Sequence, residues 1–153
     1  MRNSLCSEDV AAIERLKYAY LRCLDLKHWG EFETLFVPEA TGSYGADLEF
    51  GSRDELVGYL SRTLTADMIT LHQAHHPEIA VDGDTATGVW YLHDKVFVPA
   101  FDYALEGAAF YNDRYVRTPE GWRIAHTGYK RTFEASWKMS AAENWKFEVG
   151  TAY

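Results

Sequence analysis

"LHQAHHPEIAVDGDTATGVWYLHDKV", residues 71–96, reads as a hairpin, and that reading decides the fold. Asp82-Gly83 suits a two-residue turn, because glycine accepts the positive φ that such turns demand. "HPEIAV" and "TATGVWYLHDKVFV" flank it with alternating β-branched and aromatic residues. With this turn Val81 faces Asp84, Ile79 faces Ala86, His75 faces Trp90 and Leu71 faces Asp94. Side chains alternate along a strand, so one face carries His75, Ile79, Val81, Ala86, Gly88, Trp90, Leu92 and Asp94. That face is apolar apart from one histidine and one carboxylate. His72 falls on the opposite face by the same count. Pro77 cannot donate to a strand ladder, and one extra residue there would turn His72 inward instead. The residues alone leave His72 and His75 both open.

A second hairpin, "LEGAAFYNDRYVRT" and "GWRIAHTGYKRTFEA" around "PEG", follows the first. Upstream, Val10, Ile13, Leu16, Tyr20 and Leu24 recur at three- and four-residue steps, the pattern of one apolar helix face. Ser7 is the expected N-cap, with Glu8 and Asp9 in the first turn and Gly30 as the stop. "EFETLFV" continues as a short helical turn, and "EATGSYGADLEFGS" as two short strands. "SRDELVGYLSRTL" is a second helix, with Ser52 and Glu55 as a capping box. Helices first and long strands later define an α+β domain over residues 1–153, its curved, mainly antiparallel sheet packed on the helices. Gly88, Gly107 and Gly128 sit inside strands, where glycine and bulges let a sheet bend into a cone. The aromatic tail with Trp137, Trp145 and Tyr153 is expected to plug the core or meet another subunit.

The chain has 153 residues, 47% hydrophobic, 25% charged and 15% aromatic, with a formal net charge of −8. That balance argues against nucleic acid, whose phosphates need a basic surface. No apolar run suggests a signal peptide or membrane span. Cys6 and Cys23 lack metal-type or disulfide-framework spacing, which fits a reducing cytoplasm. The His-x-x-His-His run lies on a strand, without the i, i+4 spacing of a helical zinc motif, so no metal is expected. No glycine-rich phosphate cradle and no nucleophile elbow appear, so no cofactor is expected either.

What remains is acid–base chemistry in an aromatic-walled cavity. Asp25 stands near the end of the first helix, where the helix dipole disfavours a carboxylate. Asp94 stands on a core-facing strand, where a carboxylate is costly unless paired. A histidine beside a carboxylate has its tautomer set by that partner, as a general base near neutral pH requires.

"YAYLRCLDLKHWGEFETLF" (18–36), "HQAHHPEIAVDGDTATGVWYLHD" (72–94) and "GWRIAHTGYKRTFE" (121–134) resemble the SnoaL-like branch of the nuclear transport factor 2-like superfamily. The likeness runs over about residues 8 to 135 and implies a cone-shaped, cystatin-like α+β barrel. Members include scytalone dehydratase, bile acid 7α-dehydratase, lindane dehydrochlorinase, polyketide cyclases, ketosteroid isomerase and non-catalytic binding subunits. The dehydratases match best, and the resemblance selects His72 as the base, with Asp25 as its orienting acid and Tyr20 nearby. Asp94 corresponds to a second acid. Arg131 corresponds to a basic residue of the last strand, with Lys130 and His126 as rivals. Tyr44 stands for a tyrosine that scytalone dehydratase uses. Tyr44, His75 and Trp90 are expected to contact substrate. The resemblance thus implies a cofactor-independent dehydratase or proton-transfer isomerase for a small hydrophobic ring compound. The alternatives are a polyketide cyclase or ketosteroid isomerase type of enzyme, or a non-catalytic ligand-binding or assembly module. It also implies a homo-oligomer, trimer favoured over dimer, while the thiols and the lack of a signal segment make a cytoplasmic location the expectation.

Overall fold

The computed structural model describes residues 2–151, with side chains from residue 7 onward; Tyr153 and the side chain of Cys6 lie outside them. Helix α1 spans Arg2–Leu26 and buries Ile13, Leu16, Tyr20 and Leu24 along one face. Ser7 is therefore inside the helix rather than its cap. No glycine or proline in residues 2–6 breaks the helical run. Nor does Gly30 stop it. The helix closes at Lys27, which takes a left-handed φ of 59°, and Gly30 belongs to the short α2, Trp29–Thr34. Helix α3, Arg53–Thr63, starts as its sequence dictates: the Ser52 hydroxyl accepts the Glu55 N–H at 3.2 Å. Glu55 reaches back to the Gly51 N–H at 2.8 Å, one residue beyond the usual box partner.

Six strands form one curved, unclosed sheet: β1 Phe36–Tyr44, β2 Leu48–Phe50, β3 Ile69–Asp82, β4 Thr85–Val98, β5 Tyr103–Thr118 and β6 Gly121–Trp137. Their order is β2-β1-β6-β5-β4-β3. β1 runs parallel to β6 and every other pairing is antiparallel. The sheet wraps the helices, and its concave face buries Tyr111, Tyr115, Leu92 and Ile124 in one core with Ile13, Tyr20 and Leu24 of α1. Register shifts between Ala108 and Ala109 and between Arg114 and Tyr115 bend the β5–β6 ribbon, since an extra residue on one strand kinks a ladder.

The first hairpin departs from the expected register in two places. Asp82 pairs with Thr85, so the loop is Gly83-Asp84 rather than Asp82-Gly83. Gly83 takes φ 59° at the first central position, where a two-residue loop of the II′ kind places glycine. Further along, His75 pairs with Tyr91 but Glu78 pairs with Val89, so His76 and Pro77 together oppose Trp90. This is the bulge expected at Pro77, with His76 at φ 46° absorbing the bend. Its consequence is a change of face: His72 pairs with inward-facing Asp94, and His75 turns outward and is exposed.

After β6 the tail makes a short turn, Met139–Ala141, and returns so that Trp145 and Phe147 lie against Phe97, with ring centroids 6.1 and 4.8 Å from it.

Candidate active site

At the open end of the concave face lies a pocket of about 180 Å³. Tyr20 and Leu24 of α1, Tyr44 of β1, His72 of β3, Asp94 of β4 and Arg131 of β6 are among the residues that line it. Each reaches it for a local reason. Tyr20 and Leu24 are four apart on one helix face, and Asp94 is on the inward parity of β4. His72 faces the pocket only because the bulge moved it. The volume is near the ~150 Å³ of a cavity that holds one benzene ring.

His72 and Asp25 meet at the mouth. The imidazole Nδ1 lies 2.7 Å from Asp25 Oδ1, and the His72 backbone N–H donates to Asp25 Oδ2 at 2.9 Å. The Thr70 hydroxyl donates to Oδ1 as well, at 2.9 Å. Four-fifths of Asp25 and nearly nine-tenths of His72 are out of solvent, with side-chain exposures of 20% and 12%. β3 is the edge of the sheet, so the N–H of His72 would lack a strand partner; Asp25 supplies one and covers that edge. These donors are what make a carboxylate tolerable at the end of a helix. They also fix the ring. With Nδ1–H given to Asp25, the neutral imidazole keeps its lone pair on Nε2.

Across the pocket Arg131 grips Asp94 through both nitrogens of its fork, the Nη2–Oδ2 arm at 2.8 Å. Glu134 lies 3.3 Å from Arg131 Nε. The hydrogen bonds that Arg131 donates to Asp94 hold the guanidinium's pKa above its ordinary value. Asp94 and Arg131 thus form a unit of zero net charge, with Asp94 almost wholly buried.

The inner wall is aromatic. Tyr20 and Tyr44 share a hydrogen bond of 2.5 Å between their hydroxyls. Tyr129 stacks on Tyr44 at 5.1 Å, and Tyr111 meets Tyr20 and Tyr129 edge-on at 5.9 and 5.7 Å. Burial pushes Tyr20, Tyr44 and Tyr111 well above the ordinary phenol pKa, so they are hydroxyl donors, not phenolates.

Behind this wall sits a group that sequence reading missed. Lys17 Nζ donates to Asp113 Oδ2 at 2.8 Å, and both side chains are 0% exposed. Asp113 also accepts the hydroxyls of Tyr115 at 2.8 Å and Thr127 at 2.9 Å. The ammonium lies 3.3 Å from the centroid of the Tyr111 ring and 4.3 Å from that of Tyr20. Burial pulls the lysine's pKa down, and Asp113 opposes that shift.

Five of the expected residues, Tyr20, Tyr44, His72, Asp94 and Arg131, line one pocket, and Asp25 is bonded to it through His72. Two do not reach it. His75 is turned to the outer face by the bulge. Trp90 faces inward, but its indole N–H is given to Tyr115 at 2.9 Å. It packs in the core deeper than the pocket, because β4 descends two residues from one inward position to the next. Of the rivals to Arg131, Lys130 is exposed, and His126 is bonded to Thr41 at 2.7 Å. Among the described residues no three metal-ligating side chains gather, and no helix is long and apolar enough to cross a membrane.

A curved, unclosed six-stranded sheet around N-terminal helices, with a pocket at its open end, defines a cystatin-like α+β protein. The SnoaL-like domain profile matches residues 6–128, and the chain belongs to that family. Uncharacterized proteins of Mycobacterium tuberculosis and Mycobacterium bovis are 28% identical over 131 residues, covering 82% of this chain and 87% of theirs. A scytalone dehydratase-like protein of Novosphingobium aromaticivorans superposes with a TM-score of 0.78 at 22% identity, over 88% of this chain and 91% of that one. A LinA-type hexachlorocyclohexane dehydrochlorinase of Novosphingobium barchaimii superposes at 0.78 with 14% identity, over 96% and 97%. At these identities the solved structures establish the shared fold.

Proposed function

We propose that the protein is a cofactor-independent lyase of the dehydratase type, removing water from a small, uncharged ring compound by proton transfer. The observation that carries this reading is the His72–Asp25 pair, with imidazole Nδ1 2.7 Å from the carboxylate at the mouth of an aromatic pocket. The fold is also that of dehydratase-like and dehydrochlorinase neighbours. His72 Nε2 takes a proton from a saturated ring carbon beside a carbonyl, leaving an enolate. The bond to the neighbouring hydroxyl then breaks, and the imidazolium returns its proton to the departing oxygen, releasing water. The Tyr20–Tyr44 hydroxyl pair donates to the oxygen on which enolate charge develops. Asp94 and Arg131 cancel each other's charge and orient the polar side of the ring, which favours neutral substrates over carboxylates or phosphates.

Each positioned proton-transfer group contributes on the order of a hundredfold or more to rate. The test is a panel of hydroxy-ketone rings, dihydroxyphenolic rings and acyl thioesters, read by mass spectrometry for loss of water. The wild-type protein is expected to convert at least one. His72→Ala should abolish that turnover while still binding the compound, and Asp25→Asn should lower it about a hundredfold or more. Turnover unaffected by either substitution would overturn the assignment. Tight binding of ring compounds with no conversion of any would make the chain a binding module.

The homo-oligomer expected from the resemblance, a trimer before a dimer, remains part of this proposal. It is supported by Tyr91 and Phe133, 48% and 53% exposed on the outer sheet face.

A further inference from the structure

Helix α1 ends on a residue that its backbone does not favour. Lys27 has φ 59°, a conformation costly for any side chain with a Cβ and natural for glycine. It takes that conformation to close the helix: its N–H bonds to the Leu24 carbonyl at 3.3 Å, and that of His28 to the Cys23 carbonyl at 2.9 Å. Glycine would close the helix at less cost. What lysine adds is a side chain that folds back over the candidate site. Its Nζ donates to Thr70 Oγ1 at 2.8 Å, and that hydroxyl donates in turn to Asp25 Oδ1 at 2.9 Å. The same Oδ1 faces His72 Nδ1. Because the ammonium has fixed the direction of the Thr70 hydroxyl, Thr70 can only donate to Asp25, and the carboxylate is held in the plane that His72 needs.

We propose that Lys27 is a positioning residue of the His72–Asp25 pair, orienting Asp25 through Thr70 and setting a positive charge against the carboxylate's pull on the imidazole. The inference deepens the dehydratase reading and rests on His72 being its base. The electrostatic sense is simple. Asp25 alone favours imidazolium, which cannot accept a proton. A positive charge behind Asp25 offsets part of that pull. Part-burial lowers the pKa of Lys27, and Asp25 counters it, so the two charges support each other. The other ionisable groups around the pocket are the mutually cancelling Asp94 and Arg131, with Glu134 on the latter, and the hydroxyls of Tyr20, Tyr44, Tyr59, Tyr111 and Tyr129. None of these sits behind Asp25.

The experiment is a pH titration of the His72 ring by heteronuclear NMR, which needs no substrate, on wild type, Lys27→Gly, Lys27→Met and Lys27→Arg. Lys27→Gly and Lys27→Met are expected to displace the His72 titration curve to higher pH. Lys27→Arg should stay near wild type. Lys27→Gly relieves the left-handed backbone, so it should melt no earlier than Lys27→Met and still carry the shifted titration. That combination separates charge from helix closure. With a converted substrate in hand, the acid limb of kcat/KM should move to higher pH in the same two variants. An unshifted His72 titration in both Lys27→Gly and Lys27→Met overturns the proposal, as does Lys27→Arg shifting as far as Lys27→Met. If no ring compound is converted, the dehydratase reading fails, and the titration still decides whether Lys27 governs the pair.

Discussion

Replacing Lys17 with methionine removes one charge from the most enclosed ion pair of the protein and leaves the other in place. Lys17 and Asp113 are both 0% exposed and 2.8 Å apart. Methionine has a similar reach and fills the same channel beside Tyr20 and Tyr111, so the packing loss is small. The cost lies in Asp113, which keeps the hydroxyls of Tyr115 and Thr127 but no counter-charge. Removing one partner of a buried pair costs about 3–5 kcal/mol. For a chain of this length each kcal/mol moves the melting temperature by about 2–4 °C, so a fall of roughly 6–20 °C is expected. The double variant Lys17→Met with Asp113→Asn restores charge balance; the amide oxygen accepts one of the two hydroxyls and its NH2 donates to the other. It should recover about 2 kcal/mol or more of that loss. Urea unfolding followed by circular dichroism at neutral pH, on wild type, both single variants and the double, gives the full cycle. A Lys17→Met protein within about 1 kcal/mol of wild type, or a double variant no more stable than the single, would refute the reasoning.

Two further perturbations test how the helix and the pocket are held. Asp9 accepts Arg117 at 2.8 Å and the indole N–H of Trp122 at 3.0 Å, tying α1 to β5 and β6. Those hydrogen bonds, Arg117 first, hold its carboxyl below the ordinary 3.8. The unfolded chain therefore takes up this proton at higher pH than the folded one, and stability rises with pH across the interval between them. The contribution, at most about 1 kcal/mol for so accessible a pair, is complete above the unfolded value and lost as pH falls through the folded one. The difference in stability between wild type and Asp9→Asn should thus shrink on acidification; a difference constant with pH would contradict the assignment. Gly107→Ala would place a Cβ 2.5 Å from Arg131 Nη1 and 3.1 Å from the Phe133 carbonyl oxygen. Arg131 must then withdraw from Asp94, at a cost of about 1–3 kcal/mol. An unchanged melting temperature would show that the guanidinium moves freely.

The fold was largely legible because its determinants are local. The three- and four-residue spacing along α1, the Ser52 cap and the glycine-bearing turns each act over a few residues, and each produced the element it specifies. The two misplaced ends of α1 have a common cause. Ser7 and Gly30 are good boundary residues, but a boundary forms only where the chain leaves helical geometry. Nothing in residues 2–6 makes it leave, and Lys27 makes it leave early. The one-residue difference in the hairpin turn is of the same kind: Asp82-Gly83 and Gly83-Asp84 are both acceptable loops, and glycine at the first central position wins. That difference slides β3 by two positions along β4 and leaves the same residues on each face; only the bulge at His76-Pro77, which changes the pairing by one, exchanges them.

The site was legible wherever a polar residue broke an apolar pattern and the pattern was followed to its end. Asp25 and Asp94 were found in that way. Lys17 and Asp113 break the same rule. Lys17 lies four residues after Ile13 and three before Tyr20 on the buried face of α1, and Asp113 shares the inward parity of Tyr111 and Tyr115 on β5. What hid them is that each alone reads as an ordinary surface charge. Their partnership spans 96 positions, and only the curvature of the sheet brings β5 over α1. His75 shows the converse. Its type and spacing suited the site as well as those of His72, and a single left-handed residue decided between them. Local rules set which residues are candidates; the bulge and the bend of the sheet, which are properties of the assembled strands, select among them.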